Sequence, residues 1–139
     1  MKLINDKITI KTTPKELNDI TQMVIKNVST ANIKEGLCSL YIQHTSASLI
    51  IQENADPAVL RDIESFFKRI VPEDPSVYEH DTEGPDDMPA HIRSLLTNTS
   101  LSIPIENSKL VLGTWQAIYL YEHRSHAFER RVHLNIIGN

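Results

Sequence analysis

Between Tyr78 and His91 the chain reads Y-E-H-D-T-E-G-P-D-D-M-P-A-H, which crowds two imidazoles and five carboxylates around one glycine. Prolines and Gly84 keep most of this stretch out of regular structure, so its polar groups belong on a loop at the mouth of a helix, where function commonly sits. His80 falls on the loop and His91 just inside the helix. Two imidazoles with acids nearby suit a divalent ion or general acid/base work. A solvated acidic loop with two incidental histidines has the same composition.

A second group of candidates lies upstream. His44 continues the apolar row Cys38, Leu40, Ile42 of an alternating strand, which fits a satisfied core histidine as well as a ligand. Thr45-Ser46-Ala47-Ser48 follows, small residues whose hydroxyls and amides can donate to an anion, or simply a tight polar connection. Glu53 and Asn54, just beyond, suit either ligands or turn caps. Downstream, Trp115 and Gln116 stand beside Gly113, where a bulge is expected, and Trp115 fits either core or the wall of a pocket. Arg130 and Arg131 are expected to face solvent or acids, or to hold an anion.

The elements that must position these groups are legible from period and punctuation. Lys2 to Thr12 reads as one or two short strands. Thr13-Pro14-Lys15-Glu16 has the form of a capping box, and Leu17, Ile20, Met23, Val24 and Val28 then predict a helix running from Pro14 to about Val28. Leu37 to His44 and Leu49 to Gln52 read as strands. Asp56-Pro57 starts a helix whose face Val59, Leu60, Ile63, Phe66, Phe67 and Ile70 covers core until Pro72 stops it. Pro89 starts a third helix with Ile92, Leu95 and Leu96 buried, and Asp86 and Asp87 suit the positive end of its dipole. Leu101 to Ile105 forms a strand that Pro104 places at an edge. Lys109 to His123 is a long strand region with large groups on both faces, one expected against the core and the other against a further subunit. Phe128 to Ile137 is the last strand.

With 139 residues, about 40% of them hydrophobic, the chain closes a single core, so one domain over residues 1–139 is expected. The net charge is -4, and its cations are scattered rather than gathered into a stripe, which argues against nucleic acid as partner. One cysteine, Cys38, forms no internal disulfide, and no apolar run approaches the roughly 20 residues of a membrane span. A cytoplasmic protein without membrane association is the expectation.

Seven separated segments, His44 to Leu49, Glu53 to Pro57, Tyr78 to His80, Glu83-Gly84, Asp86 to His91, Gly113 to Gln116 and Glu122 to Arg124, together resemble the YjbQ-like family, also called secondary thiamine-phosphate synthase. The likeness runs in order from about Leu37 to the C-terminus. It implies an α+β fold of antiparallel β-sheets, sandwich-like, with about three helices, assembled as a homotrimer with sites near subunit boundaries. It further implies that His44, His80 and His91 converge on a divalent metal ion, zinc or magnesium foremost, although manganese, nickel or iron suit such ligands too. Trp115 and Gln116 would line the pocket, with Glu122, His123 and Arg124 at its rim.

The activity implied is a thiamine-phosphate synthase-like transfer, joining hydroxymethylpyrimidine diphosphate to a thiazole phosphate with release of pyrophosphate. On that expectation the ion, held by the three histidines or by Asp86 and Asp87, takes the pyrophosphate. Thr45, Ser46, Ser48 and Arg124 donate to phosphate oxygens, Asn54, His123 and Gln116 complete the pocket, and Trp115 stacks on a ring. Two alternatives use the same residues. One is hydrolysis of a phosphorylated small molecule with Glu53 or Asp87 as base; the other is a non-catalytic trimer that binds such a metabolite.

Overall fold

A computed structural model describes residues 1–139. The chain runs β1 (Lys2–Lys11), β2 (Leu17–Asp19), α1 (Thr21–Ala31), β3 (Gly36–Ile42), β4 (Ala47–Glu53), α2 (Pro57–Ile70), α3 (Asp87–Leu96), β5 (Ser100–Glu106), β6 (Lys109–Leu110), β7 (Gln116–Glu122) and β8 (Glu129–Gly138). It is α+β, with antiparallel pairing throughout. A five-stranded sheet has the order β1-β8-β3-β5-β6 and a three-stranded sheet the order β2-β7-β4. No helix is long and apolar enough to cross a membrane.

Strand alternation builds the main core between the two sheets. Ile8, Cys38, Leu40, Ile42, Val132, Leu134 and Ile136 on the inner face of the large sheet meet Leu49, Ile118 and Leu120 of the small one, while Val24, Val28 and Ala31 of α1 close the side. Burial raises the Cys38 thiol to about 11, so it is an inert packing residue. The opposite face of β7 is covered within the protomer, because Tyr121 packs with Phe67 and Val71 of the α2 region and with Ile92 of α3. Around Tyr121 it is α2 and α3 that cover this face, while Trp115, just before β7, is exposed.

The start of helix α2 follows its sequence signals: Asp56 accepts from the Ala58 amide at 2.9 Å, and Pro57 is the first helical residue, although of the apolar face expected over the core only Phe67 is buried and Phe66 and Ile70 are exposed. Elsewhere local signals were overridden. The capping box at Thr13 does not open a helix. The Asn18 side chain instead accepts from the Thr13 amide and donates to the Thr13 and Glu16 carbonyls, while Leu17–Asp19 pairs with Tyr119–Tyr121. Helix α1 begins later, at Thr21. The first strand is one ten-residue element rather than two short ones, held along its whole length by β8.

The long strand region expected from Lys109 to His123 is broken. Only Lys109–Leu110 and Gln116–Glu122 pair, and between them the Gly113 amide donates to the Gln116 side chain at 2.8 Å.

Candidate metal centre

Helix α3 sets the site. Its first turn carries Asp87, and one turn later comes His91; residues four apart share a helix face. The loop reaches α3 through Gly84, whose φ of 104° is a left-handed conformation that other residues rarely adopt. This turn lays the preceding segment back over the helix, so that His80 Nε2 lies 2.7 Å from Asp87 Oδ2. His91 Nε2 lies 3.2 Å from the same oxygen. Ligand atoms of His80, Asp87 and His91 all lie within 4.8 Å of one another.

Proton bookkeeping makes this group more than a pair of ion pairs. His91 Nδ1 sits 2.9 Å from the Thr45 carbonyl oxygen, which can only accept, so Nδ1 carries the ring proton. In the neutral imidazole Nε2 is then a bare lone pair, and it faces the carboxylate oxygen of Asp87, another acceptor. Two acceptors at that distance are reconciled either by a proton on Nε2, which makes the ring an imidazolium paired with Asp87, or by a bound cation. A ring N–H committed to a backbone carbonyl, leaving the other nitrogen free to face an ion, is the usual outer support of a histidine metal ligand.

Asp87 is buried at 2% exposure, between half-buried His91 and exposed His80. Burial opposes its ionisation, but hydrogen bonding to His80 and the charges of Arg124 and His91 prevail, and its carboxyl lies below the usual range. Arg124 is the clamp. Its Nη1 donates to Asp87 Oδ1 at 2.8 Å, its Nε to Asp86 Oδ2 at 2.8 Å and its Nη2 to the Glu83 carbonyl at 2.9 Å. The Ser125 amide adds a bond to Asp86 at 2.9 Å. Burial raises the Asp86 carboxyl, yet the Arg124 and Ser125 bonds outweigh it and hold the group at about 2.

Of the three histidines expected to converge, the protomer brings together two. His44 lies past the end of β3, where its Nε2 accepts the Arg131 amide at 2.9 Å, so that lone pair is spent. Burial, then Arg130 and Arg131, lower its pKa. Asp87 takes the third position instead.

The anion-donor segment also divides. Thr45 is exposed and adjoins the centre through its carbonyl, whereas the Ser46 side chain accepts from Arg130. Ser48 and His123 are both fully buried, bonded to each other at 2.8 Å, and do not reach solvent or a ligand. Glu122 is likewise buried, paired with Arg130 rather than forming a rim, and Arg130 does not face solvent. Glu53, Asn54, Trp115 and Gln116 cluster at the far end of the β4–β7 ladder. There Glu53 pairs with Gln116 and the Asn54 amide donates to the Trp115 carbonyl. The Ala47–Glu122 pair marks the end nearer the His80–Asp87–His91 group. Six residues separate the two ends, about 20 Å of strand. Trp115, 62% exposed, therefore neither packs in the core nor walls this centre within one protomer.

His123 gives a readout of stability. Burial, reinforced by Arg93, Lys15 and Arg130, depresses its pKa to about 3. Between that value and the ordinary histidine value near 6.5 the unfolded chain binds a proton that the folded one refuses, so stability is full above that window and falls as pH drops through it. Urea titrations from pH 7 to pH 4 are expected to show a loss approaching 1.4 kcal/mol per pH unit from this residue. His123→Gln removes that component of the slope; an unchanged slope in the variant contradicts the assignment.

A profile of the family described as "UPF0047 protein YjbQ-like" matches residues 6–139. UPF0047 protein sll1880 of Synechocystis is 51% identical over 131 residues, covering 94% of this chain and 89% of that protein. UPF0047 protein YjbQ of Escherichia coli O157:H7 is 46% identical over 122 residues, 88% of this chain and 83% of its own length. Among solved structures, a YbjQ-like protein of unknown function from Sulfolobus solfataricus superposes with a TM-score of 0.90 at 28% identity, covering 99% of each chain. A protein of the yjbq/upf0047 family from Clostridium acetobutylicum gives 0.87 at 38% identity, over 95% of this chain and 99% of that one.

Proposed function

The chain belongs to the UPF0047 YjbQ-like family, and from that premise we propose that His80, Asp87 and His91 hold a divalent ion, zinc or magnesium foremost, at which a phosphorylated small molecule reacts. The observation that carries this reading is the His91 lone pair facing the Asp87 carboxylate with its ring proton committed to Thr45. Two imidazoles and one carboxylate leave coordination positions open, as catalytic sites require.

Within that reading the reaction is thiamine-phosphate synthase-like. The thiazole nitrogen forms a bond to the pyrimidine methylene carbon while the carbon–oxygen bond to diphosphate breaks, and the electron pair leaves with pyrophosphate. A bound ion would neutralise charge on the departing diphosphate. Asp87 orients the two imidazoles, Arg124 holds Asp87 rather than the substrate, and Thr45 fixes the His91 tautomer. Trp115, Gln116, Glu53 and Asn54 join this chemistry only if another protomer supplies them, which is the place of a homotrimer in the proposal. The uncovered face of the five-stranded sheet favours such an assembly, because Leu3, Ile137, Leu37 and Pro104 align there in one apolar row. A solution mass of one protomer excludes it.

Metal-loaded protein incubated with the two precursors is expected to form thiamine phosphate and pyrophosphate in equal amounts. Release of phosphate from generic phosphoesters in place of that product supports hydrolysis at the same residues. Unchanged turnover in both His80→Ala and His91→Ala overturns either reaction at this centre.

A further inference from the structure

A cleft of about 660 Å³ opens on the other side of α3, between that helix, α2 and the Pro14–Leu17 segment. Four cations line it: Lys15, Arg61, Lys68 and Arg93. Lys15 pairs with Glu73 and Arg93 with Glu64, which leaves Arg61 and Lys68 without an ion pair. Glu16 is the one remaining acid on the lining.

Arg93 lies under the two unpaired cations. It is 1% exposed, yet only its Nη1 has a carboxylate, Glu64 at 2.6 Å, and its Nε–H has no acceptor. Beneath the cleft wall its charge is matched by Glu64 alone, so with Arg61 and Lys68 unpaired above it the lining carries an excess of positive charge suited to an anion. The local field agrees. Burial first, then Arg93 and Lys68, hold Lys15 below its ordinary pKa despite the opposing pull of Glu64 and Asp86. Leu17 and Leu60 give the cleft an apolar side, and its volume lies in the range that accepts a small organic ligand.

We infer that this cleft is a second ligand site, for a small molecule carrying a phosphate or diphosphate group, with Arg61 and Lys68 on the anion, buried Arg93 adding its charge from below, and Leu17 and Leu60 against the ligand's body. It requires no metal. Arg93 shares α3 with Asp87 and His91, so the two sites are separated by the thickness of one helix.

The test is a calorimetric titration of full-length protein with inorganic pyrophosphate in the presence of excess chelator. Saturable binding is expected, weakened about 100-fold when Arg61→Gln and Lys68→Gln are combined and unchanged in His91→Ala. Both substituted cations are exposed on α2, so the double variant is expected to fold, which its circular dichroism verifies. No binding by the chelated wild-type protein overturns the inference. So does binding that survives the double substitution. Binding lost in His91→Ala assigns the anion to the metal group instead and also overturns it. Failure here leaves the metal-centre reading standing, because that reading is tested with metal present and on other residues.

Discussion

Asp87→Asn is expected to weaken divalent-ion binding by about 100-fold or more while leaving the metal-free protein as stable as the wild type, or more so. The opposing signs come from one atom. The asparagine oxygen still accepts from Arg124, which keeps the clamp on the loop. Its amide nitrogen then replaces Oδ2 and donates to the His91 lone pair, a contact the wild type makes only with a proton on that nitrogen or a cation bound beside it. The ion loses a charged ligand at the same stroke. Competition with a chromogenic chelator reads the affinity and urea unfolding reads the stability. Equal affinity in the two proteins removes Asp87 from the ligand set. A large loss of stability without metal shows that the carboxylate serves the fold instead.

Arg130→Met carries the largest expected cost to folding, about 3–5 kcal/mol, a large share of the 5–15 kcal/mol typical of a whole domain. Glu122 is fully buried at the end of the inter-sheet core, where it accepts from Thr12 Oγ1 at 2.6 Å, Arg130 Nε at 2.8 Å and the Arg124 amide at 3.2 Å. Methionine fills the arginine's volume but leaves that carboxylate without a counter-charge. Adding Glu122→Gln is expected to recover most of the loss. If the double variant is as weak as the single one, packing rather than charge explains the effect.

What could be read from the residues depended on how local the cause was. Helix α2 has its cap and its proline within one stretch, and its start formed as read, but of its apolar stripe only Phe67 is buried while Phe66 and Ile70 are exposed, as are Leu95 and Leu96 of α3, which were also expected to be buried. The His80–His91 loop was legible because prolines, glycine and acids are local facts. The failures share a different cause. Whether Thr13 opens a helix was decided by Asn18 and by strand β7, about a hundred residues away. His44 kept its place after an alternating row, but the strand stopped at Ile42 and a backbone amide from β8 took its lone pair. Asp87 was legible as a helix-start acid and as a base or metal holder. That it would stand between His80 and His91 was set by the backward turn at Gly84, which spacing alone does not encode. Ser48 and His123 looked like ligand groups because hydroxyl and imidazole are chemically competent; only burial by α3 and β7 disqualifies them.

Strand β8 lies between β1 and β3, yet it is made after both. As the chain leaves the ribosome, the earlier two have no common partner until the last of the eight is synthesised. The large sheet is thus completed by late insertion across long loops, a slow route for a chain of this size. During that interval the nascent protein exposes two open edges to its neighbours in the cell.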